Sequence, residues 1–254
     1  KYNHSSTATA VVWWERSVGA TDARGFCRVY GNGSAGGDAA RDSHGLAVAF
    51  KVGGAKYTPV EYIQSYGAQY IDTGFNPKST TRIKMSAQFL GGDTTSALFG
   101  ERSAASSTDS TSFTLLIISQ KPRSDYFGDS KSGVQTVATT QIEIDWNKNI
   151  CAIGDDTITH AAVSKASERP LYLFAANTAG SATLPAIMRL YACQIYDDGT
   201  LVRDFIPAKD ELGNVGLYDK AGETFYYNAG IGVFGAPAAP IGTIDTLNVG
   251  NSVY

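Results

Sequence analysis

The chain has 254 residues, 43% of them hydrophobic and 11% aromatic, enough apolar material for one large sandwich or two smaller domains. Charged residues make up only 18% and the net charge is −3, with no Lys/Arg cluster, which argues against electrostatic capture of nucleic acid. No apolar run approaches the roughly 20 residues of a membrane span, and the three cysteines are far apart with no C-x-x-C pair, which argues against zinc.

The chain begins at Lys1 with no signal peptide, which reads as the start of a fragment. Residues 11–14 (VVWW) are strongly apolar; Phe26, Arg28 and Tyr30 alternate with Cys27 and Val29; Leu46, Val48 and Phe50 alternate again. These predict short strands. Between them, residues 18–25 and 31–45 are small and polar. About 50 residues with so few apolar anchors are marginal alone, so this piece needs a larger partner.

The segments WWERS, FCRVYGNG and AARDSHGLAVAF are similar to the last part of C-type-lectin-like domains of the formylglycine-generating-enzyme type, in the branch found in phage and gut bacterial proteins. Residues 242–254, GTIDTLNVGNSVY, resemble the first strand of the same domain type, and its middle is missing. A tandem array cut through two copies, part of a longer protein, and a permutation all fit. Some members of that class are targets of diversity-generating retroelements, which randomise template adenines. An Asn codon ending in C cannot then become Lys, Glu, Gln, Met or Trp, and residues 18–24 and 31–44 contain none of these. Loops simply rich in small residues would look the same. The resemblance implies a variable binding face on a fixed scaffold, made by Thr21, Asp22, Arg24, Arg28, Tyr30, Asp38, Arg41, Asp42 and His44. Tyr and Arg would contribute most of the contact energy, with small residues filling between.

Residues 54–58 form a linker within a Gly-rich run, and a second pattern starts at Pro59. Tyr62-Ile63 and Tyr70-Ile71 flank a turn at Tyr66-Gly67, and Asn76-Pro77 breaks the chain. From Arg82, Ile83, Met85, Ala87 and Phe89 point inward, and Lys84, Ser86 and Gln88 outward. Residues 91–93 turn, 97–100 extend, 103–112 form a polar loop and 113–118 a buried strand. Further strands are predicted over 126–129, 134–139, 142–146, 150–153, 157–160 and 171–176. In residues 188–234, Leu190, Ala192, Gln194 and Tyr196 alternate with Tyr191, Cys193 and Ile195. Both sets are largely apolar, which predicts a strand between two packed layers. Asp198-Gly199 makes a hairpin turn. Leu201, Arg203 and Phe205 resume the strand until Pro207 ends it. Gly213-Asn214 and Ala221-Gly222 turn between strands 215–218 and 224–227.

The paired ends, EYI with QYIDTG in front and RLYACQIYDDGTLVRDFIP with VGLYD and FYYN behind, resemble the laminin-G-like, concanavalin A-like jelly rolls of bacteriophage tail and bacterial surface proteins. This likeness implies a fold and a binding role, and it brings no catalytic residues. The expected architecture is all-β: a C-type-lectin-like segment over 1–53, an antiparallel jelly-roll β-sandwich over 59–235, and a linker with a returning first strand over 236–254.

Glu143-Ile144-Asp145-Trp146 is the sharpest enzymatic candidate, because laminarinase-type glycoside hydrolases carry Glu-x-Asp-x-(x)-Glu on one strand. Here Asn147 or Lys148 stands in place of the second Glu, so leaving-group protonation has no donor. The packing alternative puts Ile142, Ile144 and Trp146 inward, Glu143 and Asp145 outward, and a turn over 147–149. His4, His44 and His160 fall in separate segments and are expected at the surface. Asp155-Asp156 and Asp197-Asp198 could ligate calcium, but both sit where turns are wanted. Cys151 and Cys193 are expected as buried thiols, with a disulfide left open. Trp13, Trp14 and Trp146 could stack on sugars, although adjacent Trp on a strand face opposite ways. The expected function is recognition of a bacterial surface receptor or glycan by a phage tail fibre or other virion component. The jelly roll would be a spacer or a second, carbohydrate-binding site. A bacterial adhesin of the same architecture is the alternative, and a glycan-cleaving enzyme the third. No cofactor, metal, nucleic acid or membrane insertion is expected. The partners are other virion proteins and further copies in a trimer, on the virion or another extracellular surface.

Overall fold

The computed structural model describes residues 57–106 and 109–237 in full, and the strand backbones of residues 13–18, 25–29 and 35–39. The chain divides into two compact units, Lys1–Gly54 and Ala55–Tyr254. In the first, β1 (Trp13–Val18), β2 (Gly25–Val29) and β3 (Ala35–Ala39) form an antiparallel sheet in chain order. β3 falls in a stretch expected to be loop. Its Ala-Gly-Gly-Asp-Ala sequence has little strand propensity, so its extension comes from the ladder with β2. The strand expected over 46–50 lies outside the described residues.

The second unit opens with β4 (Tyr57–Pro59), β5 (Ile63–Gln64) and β6 (Ile71–Asp72), followed by the long β7 (Arg82–Gly92) and by β8 (Thr95–Arg102). One meander holds β9 (Phe113–Ile118), β10 (Lys121–Tyr126) and β11 (Asp129–Ser132); a second holds β12 (Ile142–Asn147), β13 (Ile150–Ile153) and β14 (Asp156–Thr159). Short β15 (Tyr172–Leu173), β16 (Ala176–Thr178) and β17 (Ser181–Thr183) lead to β18 (Ala186–Asp197), β19 (Thr200–Asp210), β20 (Val215–Asp219) and β21 (Thr224–Tyr226). A ten-stranded sheet runs β14-β13-β12-β7-β18-β19-β20-β21, with β4 on β19 and β5 on β18. An eight-stranded sheet runs β11-β10-β9-β8-β15-β6, with β16 and β17 attached. Among the described residues every ladder is antiparallel except β16 on β8. This is the all-β antiparallel sandwich that the strand and turn pattern predicts, with the jelly-roll form that the resemblance implies.

Alternation on β7 holds as predicted: Ile83, Met85, Ala87 and Phe89 are buried, and the residues between them face outward. The inner faces meet around Trp146 of β12, which is fully buried and stacks on Phe113 of β9 at 4.2 Å between ring centroids. Its Nε1 donates to the Lys148 carbonyl at 2.8 Å, so the one polar atom of the ring is satisfied. Ile142 and Ile144 share its inward face. Cys151 and Cys193 are both buried and free. Their strands, β13 and β18, lie three ladder steps apart in the same sheet. That is roughly 14 Å, twice the reach of a disulfide.

Several strand assignments shift. The predicted strand over 126–129 is a turn: Phe127 and Gly128 adopt φ of 49° and 94°, and the strand precedes them as β10. Residues 134–139 form no strand. Their backbone is held by the Asp156 carboxylate, which accepts from the Val134 and Gln135 amides, and by the Gln120 carbonyl, which accepts from Val137. The run over 171–176 breaks at Phe174, where φ is 70°, and the chain reverses from antiparallel to parallel pairing with β8. Pro207 does not end β19. It sits where the ladder passes from β18, last paired at Phe205, to β4, first paired at Ala208. The Pro207 carbonyl accepts from the Val60 amide, which extends the β4 register by one residue.

Replacing Trp146 by Ala removes the ring that joins both sheets. A loss of about 3–5 kcal/mol is expected, read as a drop in the urea unfolding midpoint at unchanged slope.

Candidate functional site

Of the nine residues predicted for the N-terminal face, only Arg28 and Asp38 belong to described strands. Arg28 lies across the ladder from Gly36, and Asp38 across from Phe26. Thr21, Asp22, Arg24, Tyr30, Arg41, Asp42 and His44 lie outside the described residues.

A different surface is built in full on the outer face of the ten-stranded sheet. β18 does not alternate simply. Leu190 pairs with Ala87, but Ala192 pairs with Ser86, so Tyr191 is the extra residue of a bulge. Leu190, Cys193 and Ile195 are therefore the inward set, fully buried. Arg189, Tyr191, Ala192, Gln194 and Tyr196 look outward and are half-buried. The reading of β18 as apolar on both faces is corrected accordingly.

Along β7 and β18 the outward residues form a track about 20 Å long, from Arg189 to Tyr196. At one end the Arg189 guanidinium lies over the Tyr62 ring, 4.4 Å from its centroid. Its Nε donates to Gln64 Oε1 at 2.9 Å and its Nη1 to Gln88 Oε1 at 3.3 Å. The Tyr191 hydroxyl also donates to Gln88 Oε1, at 3.2 Å, and its ring meets Tyr62 edge-on at 5.6 Å. These side chains come from β5, β7, β18 and the residue before β5, so their positions are set by ladder hydrogen bonds. At the other end, Arg82, Lys148, Tyr196 and Asp198 line a hollow of about 310 Å³. The Asp198-Gly199 turn beside it is the predicted hairpin, with φ of 47° and 82° at its two residues.

Glu143 and Asp145 face outward from β12, beside this track. Both carboxylates are engaged: Ser86 Oγ donates to Glu143, and Arg82 grips Asp145 through Nε at 2.8 Å and through Nη2. The Arg82 hydrogen bond holds the Asp145 carboxyl below its usual range. No third outward acid follows on the strand, since the next outward residue is Asn147. A separate polar hollow of about 360 Å³ lies between the loop over 135–141 and β12–β14. The aspartate pairs serve turns and pairing: Asp197 meets Lys78 at 2.7 Å, and Asp156 caps the 134–135 amides. Among the described residues no group of three His, Cys, Asp or Glu is placed to hold a metal, and no helix is long and apolar enough to cross a membrane.

No family model matches the chain, and no curated protein matches its sequence. Among solved structures it is similar to a candidate carbohydrate-binding protein from Bacteroides ovatus, with a TM-score of 0.50 at 7% identity. The match covers 72% of this chain and 61% of that one, so the chain spans under two thirds of that protein's length. The CBM40 module of the Ruminococcus gnavus IT-sialidase aligns at a TM-score of 0.41 and 12% identity, over 54% of this chain and 89% of the module. The first likeness supports the sandwich fold, and the second adds nothing to it.

His160 corrects the expectation of a surface histidine. It is buried, with Tyr126 and Trp146 against its ring. Ser124 Oγ lies 2.7 Å from its Nε2, and Asp129 Oδ2 lies 3.2 Å from Nδ1, off the line of a good hydrogen bond. Serine, imidazole and carboxylate in a row resemble an activated nucleophile, but Ser124 is fully buried and out of reach of a substrate. Burial holds the imidazole pKa below its usual 6.5, against the pull of Asp129. Glu101 is also fully buried, with neither carboxyl oxygen hydrogen-bonded, and burial pushes it up to about 7.

The two groups oppose each other in the acid range. Below 6.5 the unfolded chain takes up a proton that buried His160 refuses, so stability falls as pH drops. Above 4.5 the unfolded chain loses a proton that Glu101 retains, so stability falls as pH rises toward 7. Glu101→Gln should steepen the acid loss and leave the protein more stable than the parent at pH 8, by on the order of 1–3 kcal/mol. His160→Gln should tilt the profile the other way. Urea midpoints measured from pH 5 to 8 check both, and parallel profiles for all three proteins would refute the assignment.

Proposed function

We propose that this protein is a non-catalytic recognition protein whose sandwich binds glycan along the outer track of the ten-stranded sheet. One observation carries the reading: Tyr62 and Tyr191 form an aromatic corner beside an arginine and two amides, all on strands of the outer sheet face except Tyr62, which directly precedes β5. Aromatic rings flanked by hydrogen-bonding groups suit a sugar, which has apolar C–H faces and a polar rim. The occupied states of Glu143 and Asp145, and the missing third acid, weigh against bond cleavage at that strand.

The resemblance to phage tail and surface jelly rolls supports placing the protein on a virion, as a tail-fibre component contacting a bacterial surface. Thr21, Asp22, Arg24, Arg28, Tyr30, Asp38, Arg41, Asp42 and His44 would then form a second, variable contact face, and trimeric assembly would multiply both.

An array of bacterial capsular and cell-wall polysaccharides tests the binding. Retention of at least one glycan is expected, with Tyr191→Ala weakening it about tenfold or more. Release of reducing sugar from the bound glycan, abolished by Glu143→Gln, would overturn the reading.

A further inference from the structure

Arg189 differs from three other arginines of the sandwich in what it touches; Arg102 also meets no carboxylate, but it is buried and spent on the Thr178 and Thr183 hydroxyls. Arg82, Arg123 and Arg203 each approach a carboxylate. Among the described residues, no carboxylate lies within ion-pair distance of Arg189. It touches two neutral amide oxygens and a ring.

That arrangement holds a cation without neutralising it. A guanidinium carries five N–H donors in a planar fork. Nε and one N–H of Nη1 are taken by Gln64 and Gln88. Among the described residues, the two N–H of Nη2 and the second of Nη1 have no protein acceptor. Stacking on Tyr62 and the paired amide contacts fix the plane of the fork, so little further ordering is needed on binding. Tyr191 shares Gln88 Oε1 with Arg189, which places a second ring beside the open edge. Tyr62 and Arg189 are half-buried, so the fork is partly shielded from water, where a charge-assisted hydrogen bond is stronger.

We propose that the Arg189 end of the track selects sugars bearing a carboxylate. The acid group pairs with the free edge of the guanidinium, and the sugar ring lies against Tyr191. This rests on the glycan-binding reading and narrows it to one substrate class. A carboxylate accepts both N–H of a guanidinium edge, whereas a neutral hydroxyl satisfies one and leaves the charge uncompensated.

The test uses the full chain and immobilised oligogalacturonate, oligoglucuronate, sialyllactose and polysialic acid, each beside its carboxyl-reduced counterpart. At least one acid form should bind about tenfold or more tightly than its reduced form. Arg189→Gln should abolish that difference, Arg189→Lys should restore part of it, and Tyr191→Ala should weaken acid and reduced forms alike. Thermal melts confirm that the variants are folded. Equal binding of acid and reduced forms, a preference unchanged by Arg189→Gln, or retention of neutral glycans only would overturn the acidic specificity and leave the glycan-binding reading standing. Binding of none of these probes, with no glycan retained on the wider polysaccharide array, would overturn both.

Discussion

The sandwich and its outer surface both depend on one irregular step in the β18–β7 ladder. Two residues of β18, Tyr191 and Ala192, oppose the single Ser86. Without that step, strict alternation from Leu190 would turn Cys193 and Ile195 outward and bring Gln194 and Tyr196 into the core. The step lets one strand bury Leu190, Cys193 and Ile195 while presenting Arg189, Tyr191, Gln194 and Tyr196 on the other side. A shared register on β7 makes the result cohere: Gln88 faces out beside Arg189, while Phe89 faces in beside Met188. Core packing and surface chemistry are thus set by the same hydrogen bonds, and neither can drift without the other.

At one side of the sandwich, polar contacts carry the join between the sheets. Ser124 of β10 meets His160, which follows β14. Asp129 of β11 accepts from the Ala161 amide, and Lys131 reaches the Thr159 carbonyl. Asp156 of β14 holds the amides of residues 134 and 135, just past β11. Apart from the buried Ser124–His160 pair, each contact is individually small, since part-exposed polar contacts contribute about 1 kcal/mol or less. Their effect is to close the edge that the aromatic cluster around Trp146 leaves, where β11 and β14 would otherwise present unpaired strands. The His160 part of the pH response arises in this tie, because burial there lowers the imidazole pKa.

The fold class was legible because local signals agreed with it. The period-two run on β7, the Asp198-Gly199 hairpin and the buried 113–118 strand all appear where their residues place them. The misread elements share a cause. Pro207 continues its strand because its missing donor falls between two partner strands, a fact held by β4 and β18 rather than by β19. β3 extends because β2 is beside it. Residues 134–139 look like a strand and are a loop because Asp156 takes their amides. The outer track was missed for the same reason. Its residues, Tyr62, Gln64, Gln88, Arg189 and Tyr191, are spread over 130 positions of sequence. Their one local signal is Arg, Gln and Tyr recurring on the central strands, and the bulge conceals that recurrence. His160 offered no signal at all, since the hydroxyl and carboxylate beside its ring nitrogens, Ser124 and Asp129, lie on the opposite sheet.

Charge along the track argues for what it can attract. The chain carries a formal charge of −3, which taken alone would disfavour an anion. At physiological ionic strength the screening length is about 8 Å, so only the nearest charges count for a ligand on the sheet. Among the outward residues of β7, β12 and β18 between Arg82 and Arg189, the cations are Arg82, Lys84 and Arg189, and the anions are Glu143 and Asp145. Asp145 is spent on Arg82, and Glu143 accepts from Ser86. Lys84 and Arg189 make no ion pair among the described residues. The local balance is therefore opposite in sign to the chain as a whole. An acidic ligand would meet two open cations on a surface whose own acids are already engaged, and its affinity would fall as added salt screens them.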